Sequence, residues 1–257
     1  MPRIAREQCE SGIYHVVLRG INRQDIFYDD DDFKHFLITL FHKQADDSFR
    51  VYGYCLMNNH IHLMLRENDD NVSRIMSRVG TSYAWWYNQK YDRCGHVFQG
   101  RFGSECVETD ASLLSVIRYI HNNPVKAGLA AAAEDYPWSS IHAYYGGREY
   151  LPGLTEPSFI LGMIHQNRSD AVKEFKEFML QANDDQCLDD QFKPRKSDVE
   201  VKEEITALMN GEPISRLLQL DKAVRKEILQ QIKQSDGVSQ RQIARVTGIS
   251  PNIIFKA

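Results

Sequence analysis

Two apolar runs, Phe49–Met57 and His60–Arg66, are separated only by Asn58-Asn59. Two residues cannot carry the chain across a sheet, so the runs must lie side by side as an antiparallel hairpin. Asparagine tolerates the positive φ that so tight a turn calls for, which suits the pair at 58–59. In the second run His60 and His62 flank Ile61. Side chains at i and i+2 on a strand share a face, so both imidazoles project together while Ile61 turns into the core.

The elements around the hairpin follow from periodicity. Ile13–Arg19 is β-branched and aromatic and stops at Gly20, as a strand does. A polar loop, Gly20-Ile-Asn-Arg-Gln24, leads to Asp29–Asp32, whose carboxylates suit a helix N-terminus. Phe33, Phe36, Leu37, Leu40 and Phe41 then recur at three-four spacing, so that helix buries one face. The four aspartates are read as capping and solvation rather than as a metal site. Asn71 to Tyr91 reads as a second helix, with Ile75, Met76, Val79 and Tyr83 on one side. Its aromatic end, which includes Trp85, Trp86 and Tyr87, divides between core packing and surface able to stack a base. His96–Glu108 reads as a fourth strand entered by a glycine-punctuated loop. Asp110 caps a helix through Leu113, Leu114, Ile117, Tyr119 and Ile120 that ends before Pro124. This order predicts an α+β fold, an antiparallel sheet with packed helices.

Strand signals fade after Gly128. Tyr136–Gly146 is aromatic and lies against the domain, residues 159–182 form another amphipathic helix, and 183–197 make an acidic linker. The remainder is helical in pattern. The expected organisation is therefore an α+β domain over 1–150, a helical extension and linker over 151–197, and an all-helical C-terminal domain over 198–257.

With 257 residues, 42% of them hydrophobic and 26% charged, the chain can bury a substantial core. Met1–Glu10 is polar, and no apolar run approaches the roughly 20 residues of a membrane helix, so a cytoplasmic protein without a membrane partner is expected. The five cysteines are odd in number and widely spaced, with no CxxC pair. That pattern predicts reduced thiols rather than a disulfide framework or a cysteine zinc site. The net charge of −4 argues against broad wrapping of duplex DNA. It leaves recognition through a few local positions open.

Two imidazoles on a strand face suit a divalent ion, but two ligands alone are as readily ordinary strand histidines. A second stretch, Arg118-Tyr-Ile-His-Asn-Asn-Pro-Val125, shifts that balance. On a helix Tyr119 and Asn123 are i and i+4 and share a face. Asn123 offers a neutral oxygen as third ligand, and Tyr119 a hydroxyl one turn away. A phenol with an unperturbed pKa of about 10 is a poor nucleophile. A metal that draws charge from a phosphate compensates for it. The chemistry implied is transesterification: Tyr119 attacks phosphorus, becomes a 5′-phosphotyrosine and releases a 3′-OH that can later reverse the step.

The segments His60-Ile-His62, Tyr119-Ile-His-Asn-Asn-Pro-Val-Lys-Ala-Gly128 and Asp135-Tyr-Pro-Trp-Ser-Ser140, in that order, resemble the single-tyrosine HUH transposases, nearest the REP-associated tyrosine transposase branch. The resemblance covers roughly residues 10–150. It implies an RRM-like antiparallel sheet (the HUH endonuclease fold), a Mg²⁺ or Mn²⁺ cofactor and a hairpin DNA substrate. It also implies His60 and His62 as metal ligands and Tyr119 as nucleophile. Asn123 matches the third-ligand position, a Gln in some relatives, and Asn58 stands where many relatives have proline. In some relatives a homodimer brings the tyrosine of one chain to the metal site of the other. Arg19, Asn22, Arg23, Arg101 and Arg118 are candidate phosphate contacts.

The C-terminal stretch Val238–Phe255 resembles a helix-turn-helix, with Ser239 as cap, Gly248 in the turn, and Ser250-Pro251 opening a second helix. Asn252 and Lys256 would face DNA. Three functions remain open from the sequence: a metal-dependent tyrosine transposase acting on single-stranded, hairpin-bearing DNA; a non-catalytic hairpin DNA- or RNA-binding regulator; and a metal-dependent phosphodiesterase in which Tyr119 is only structural.

Overall fold

The computed structural model describes residues 8–44, 48–183, 185, 187, 196–235 and 237–256. It divides into two compact units, Met1–Asp189 and Asp190–Ala257. In the first, β1 (Ile13–Arg19), α1 (Asp30–Gln44), β2 (Phe49–Met57), β3 (His60–Glu67), α2 (Val72–Lys90) and β4 (Gly103–Cys106) follow one another. The strands form one antiparallel sheet in the order β2-β3-β1-β4. A βαββαβ chain in that order is the ferredoxin-like arrangement, the RRM-like sheet expected.

Strand alternation divides the apolar side chains between two cores. Tyr14, Val16, Leu18, Ile61, Leu63 and Leu65 pack under α1 and α2 on one face. On the other face Ile13, Met57 and Met64 meet α3 (Asp110–Lys126), α4 (Ile141–Tyr144), α5 (Pro157–Ile164) and α6 (Arg168–Leu180). The sheet is therefore buried on both sides, which is why its strands read as nearly continuous apolar runs. A register shift between Val51 and Gly53 moves β2 by one residue, so Val51 and Tyr54 face the same core. Gly53 lies where α3 crosses: a Cβ there would stand 2.3 Å from Ile117 Cδ1.

The motif 135–140 turns out to be structural. Leu56 N–H donates to Trp138 O and Ser140 N–H to Tyr54 O, so the segment covers the open edge of β2. Trp138 stacks on Phe33 at 4.7 Å, and Tyr136 Oη donates to Leu56 O.

Several expectations change. Asn58 and Asn59 turn without positive φ, whereas Asn22 (52°) and Arg23 (59°) in the adjoining loop have it. The turn is held from outside: Ile26 and Phe27 N–H both donate to Asn58 O, and Gly20 N–H donates to Asn59 O. Only 103–106 of the expected fourth strand pairs, because residues 96–102 instead form a loop with a single bridge, Gly20 to Phe98. Thr109, not Asp110, caps α3, accepting from Ser112 N–H. That helix runs through Pro124 to Lys126, with Pro124 buried inside it rather than ending it. The helix expected over 159–182 is two, because Asn167 accepts from Ser169 and Asp170 N–H and starts a new one. Both halves pack into the second core, so packing runs through residue 150 rather than stopping there. Phe41 is 36% exposed, at the edge of its helix's buried face. Cys9 and Cys106 are bonded rather than reduced, because the chain entering β1 runs beside the end of β4.

The second unit is all-helical among its described residues: α7 (Asp198–Leu208), α8 (Lys222–Gln234), α9 (Gln240–Thr247) and α10 (Pro251–Lys256) surround Val201, Ile205, Leu229, Ile232, Ile243 and Ile254. Ser239 accepts from Gln242 N–H at the start of α9, and Gly248 ends it at φ 71°. No described helix is long and apolar enough to cross a membrane.

Candidate active site

The face of the sheet opposite α1 and α2 carries, besides its apolar residues, a cluster of imidazoles. His62 lies across from Val17 on β1, and His60 across from Arg19. The His60 and His62 ring centroids are 5.0 Å apart. A third histidine, His15, enters from β1: its Nε2 is 3.1 Å from His62 Nδ1. Register alone brings it there, two residues along from the Val17–His62 pair on the same face.

α3 crosses this face and sets Tyr119 over the cluster. Its ring centroid is 5.8 Å from His62 and 6.0 Å from His15. Tyr119 is 2% exposed, and Lys126 Nζ stands 4.6 Å over its ring. Asn123, one turn on, is buried and donates through Nδ2 to Tyr119 O, which leaves its carbonyl oxygen as an acceptor. His60, Nδ1 2.6 Å from Asn59 Oδ1, is the more open member of the pair.

His62 is fully buried, and burial holds its pKa well below 6.5, with the charges of His60, His15 and Arg19 acting the same way. A neutral imidazole is the form that binds a metal. Imidazole nitrogens beside a carboxamide oxygen suit a small divalent cation. His60 and His62, 5.0 Å apart on one strand face, are donors of the kind such an ion takes, and Asn123 adds a carboxamide on the helix that crosses that face. One other group of potential ligands exists among the described residues, Cys9, Cys106 and Glu108, but its two sulfurs are bonded to each other.

The basic residues sort differently. Arg19 lies beside the histidines on the same face. Asn22 and Arg23 are exposed on the loop clasped to Asn59, and Asn59 Nδ2 donates to Arg23 O. Ile21 N–H donates to Val97 O and Gln99 N–H to Arg19 O, so the loop bearing the exposed Arg101 is tied to the same end of the sheet. Arg118 departs from expectation. It is 8% exposed, its Nε and Nη2 both donate to Asp185, and its guanidinium stacks on Phe178. That arrangement ties α3 to the segment after α6 and leaves little for a phosphate. Asn252 is exposed on α10; the side chain of Lys256 lies outside the described residues.

Sequence reasoning missed His15 and its neighbour Glu105. His15 stands in an ordinary strand run, and only the β1–β3 register, which no local pattern reveals, puts it on His62.

Residues 8–123 match the family described as "Transposase IS200 like". A Haemophilus influenzae protein named for the REP-associated tyrosine transposases is 31% identical over 106 residues, 37% of this chain and 60% of that protein. The chain thus matches three fifths of that relative's length. A structure described as a REP-associated tyrosine transposase bound to a REP hairpin superposes with a TM-score of 0.47 at 19% identity, over 61% of this chain and 90% of that one. Over residues 8–123, then, this chain is similar to the IS200-like transposases, the family that its histidine pair and tyrosine helix had led us to expect.

Proposed function

We propose that this chain is a tyrosine transposase that cleaves and rejoins single-stranded, hairpin-bearing DNA. The observation that carries the reading is the position of Tyr119 against His62 within one chain, ring centroids 5.8 Å apart. Binding alone would need neither a tyrosine nor paired imidazoles in that arrangement. In the proposed reaction the Tyr119 hydroxyl attacks phosphorus and loses its proton, and the bond to the 3′ oxygen breaks. The products are a 5′-phosphotyrosine and a free 3′-OH. Mg²⁺ or Mn²⁺, held by His60, His62 and Asn123, would draw charge from the phosphate and so compensate for the weak nucleophile.

The remaining residues position and protect. Arg19, beside the histidines, and Asn22, Arg23 and Arg101, at the same end of the sheet, would hold the flanking phosphates. Burial of Tyr119 keeps water from competing with the 3′-OH for the phosphotyrosine, which favours transfer over hydrolysis. Lys126, its ammonium over the face of the Tyr119 ring, adds a positive charge near the nucleophile. In this reading a second chain is not needed to bring tyrosine and histidines together, although a homodimer remains compatible with it. The pair α9 and α10 would act as a helix-turn-helix, with Asn252 and Lys256 toward DNA, and the protein would work in the cytoplasm.

The test is incubation of a labelled hairpin oligonucleotide with the protein and Mn²⁺, followed by denaturing electrophoresis. A covalent protein–DNA band is expected, lost in Tyr119→Phe and on chelation. Absence of that band in the wild-type protein with either metal, across a panel of hairpins, sinks the reading. Free 5′-phosphate without an adduct would point to a phosphodiesterase instead.

A further inference from the structure

The reaction proposed above uses His60 and His62 but gives no task to the third histidine. His15 is completely buried, and its two ring nitrogens face different partners. Nε2 is 3.1 Å from His62 Nδ1, a hydrogen-bond distance. Nδ1 is 3.6 Å from Glu105 Oε2, close to its charge but beyond hydrogen-bond reach. Glu105 is the direct cross-strand partner of His15 on β4, so ladder register fixes that approach. The result is a line of three side chains across three neighbouring strands, from the half-exposed Glu105 through His15 to His62.

A neutral imidazole has one donor and one acceptor nitrogen, so whatever sets the proton on one ring sets the sense of the bond to the next. Glu105 makes no hydrogen bond to Nδ1, but its negative charge on that side favours the His15 proton on Nδ1 and leaves Nε2 as an acceptor. His15 Nε2 then accepts from His62 Nδ1–H. The lone pair of His62 is thereby fixed on Nε2, the nitrogen away from His15. Metal-binding histidines commonly have their second nitrogen held by an outer partner in this way, which sets ring orientation and raises ligand basicity. Here the outer partner is itself a histidine backed by a carboxylate.

We propose that His15, oriented by Glu105, is a positioning residue that locks His62 in its Nδ1–H tautomer and so presents Nε2 to the metal ion. The inference rests on His62 being a metal ligand, and its test separates the two. Long-range ¹H–¹⁵N correlation spectra of the metal-free protein report which nitrogen of His62 carries the proton. Titration with Mn²⁺, followed by the free-ion paramagnetic resonance signal, reports affinity. Wild type is expected to show His62 protonated on Nδ1. His15→Phe keeps a ring in the site but removes the acceptor; it is expected to lose that tautomer preference and to bind Mn²⁺ about 10–100-fold more weakly. Glu105→Gln, whose side chain is partly exposed and less exposed to folding failure, should shift both readouts in the same direction by less. His62 protonated on Nε2 in the wild type overturns the proposal, and so does wild-type affinity in His15→Phe. Loss of Mn²⁺ as complete as in His62→Ala would make His15 a ligand instead and also overturn it. Wild-type Mn²⁺ affinity in both His60→Ala and His62→Ala would defeat the metal-site reading itself.

Discussion

Gly53→Ala tests whether α3, and with it Tyr119, is seated by a single close approach to the sheet. The added Cβ would meet Ile117 Cδ1 at 2.3 Å, where ordinary contact begins at 3.4 Å. Ser140 Oγ at 3.5 Å and His121 Nε2 at 3.8 Å crowd the same space. Ile117 is completely buried and β-branched, so it has few other rotamers to adopt. Alanine in a strand gains about 0.5–1 kcal/mol over glycine from chain entropy. Overpacking costs about 1–3 kcal/mol, and at this overlap the clash prevails. At the upper end of that range the net loss after the alanine gain is about 1–2.5 kcal/mol, and at about 2–4 °C per kcal/mol for a unit of this size a fall in Tm of roughly 2–10 °C is expected by calorimetry. Ile117→Val removes the offending Cδ1 and alone costs about 0.5–1.5 kcal/mol. In the double variant the two losses should not add: a favourable coupling of about 1 kcal/mol is expected. The adduct yield should follow the same pattern, since Tyr119 lies two residues along the helix from Ile117. A Gly53→Ala protein that melts with the wild type, or one that Ile117→Val fails to rescue, refutes the reasoning.

Acid should destabilise the first unit through its buried histidines. Burial, and then the charge of His142, lowers the His121 pKa to about 3 from the ordinary 6.5, so the unfolded chain binds the extra proton between those values. Stability is therefore full above pH 6.5 and falls toward about 3, at about 1.4 kcal/mol per pH unit. Urea titrations of His121→Asn should show a slope reduced by one proton, and an unchanged slope counts against the account. Arg118→Met should destabilise by about 3–5 kcal/mol because it strands Asp185, while the salt dependence of DNA binding stays as it was. A shallower salt slope at unchanged stability would instead make Arg118 a phosphate contact. A Cβ on Gly20 would lie 2.1 Å from Gln24 O, a backbone atom that cannot step aside. Gly20→Ala should speed amide exchange over residues 20–27 and weaken hairpin binding, and unaltered exchange there would contradict the placement.

What was legible in the sequence is what local periodicity encodes. The hairpin, the first strand, both helices on the first face and the shared face of Tyr119 and Asn123 all follow from spacing. Errors arose where a distant partner overrode a local rule. Pro124 sits buried inside α3, where a local rule would have ended the helix. The asparagine turn keeps negative φ because three backbone donors from 20–27 hold its carbonyls. Arg118 looked like a surface cation until residue 185 came back to pair with it. His15 could not be placed without strand register, and the Cys9–Cys106 bond joins residues 97 apart.

The clasp between residues 20–27 and the hairpin turn makes the two segments one mechanical piece. Asn59 is bonded to that loop and precedes His60, so whatever steadies the loop also steadies the strand position of His60. If phosphates grip Asn22 and Arg23 while an ion grips His60, the two affinities are linked and the linkage is reciprocal. DNA would then tighten the ion by the factor by which the ion tightens DNA. Hairpin dissociation constants measured with and without Mn²⁺, set against Mn²⁺ constants with and without hairpin, must close that cycle. A factor of one on both arms would mean that the clasp carries no signal.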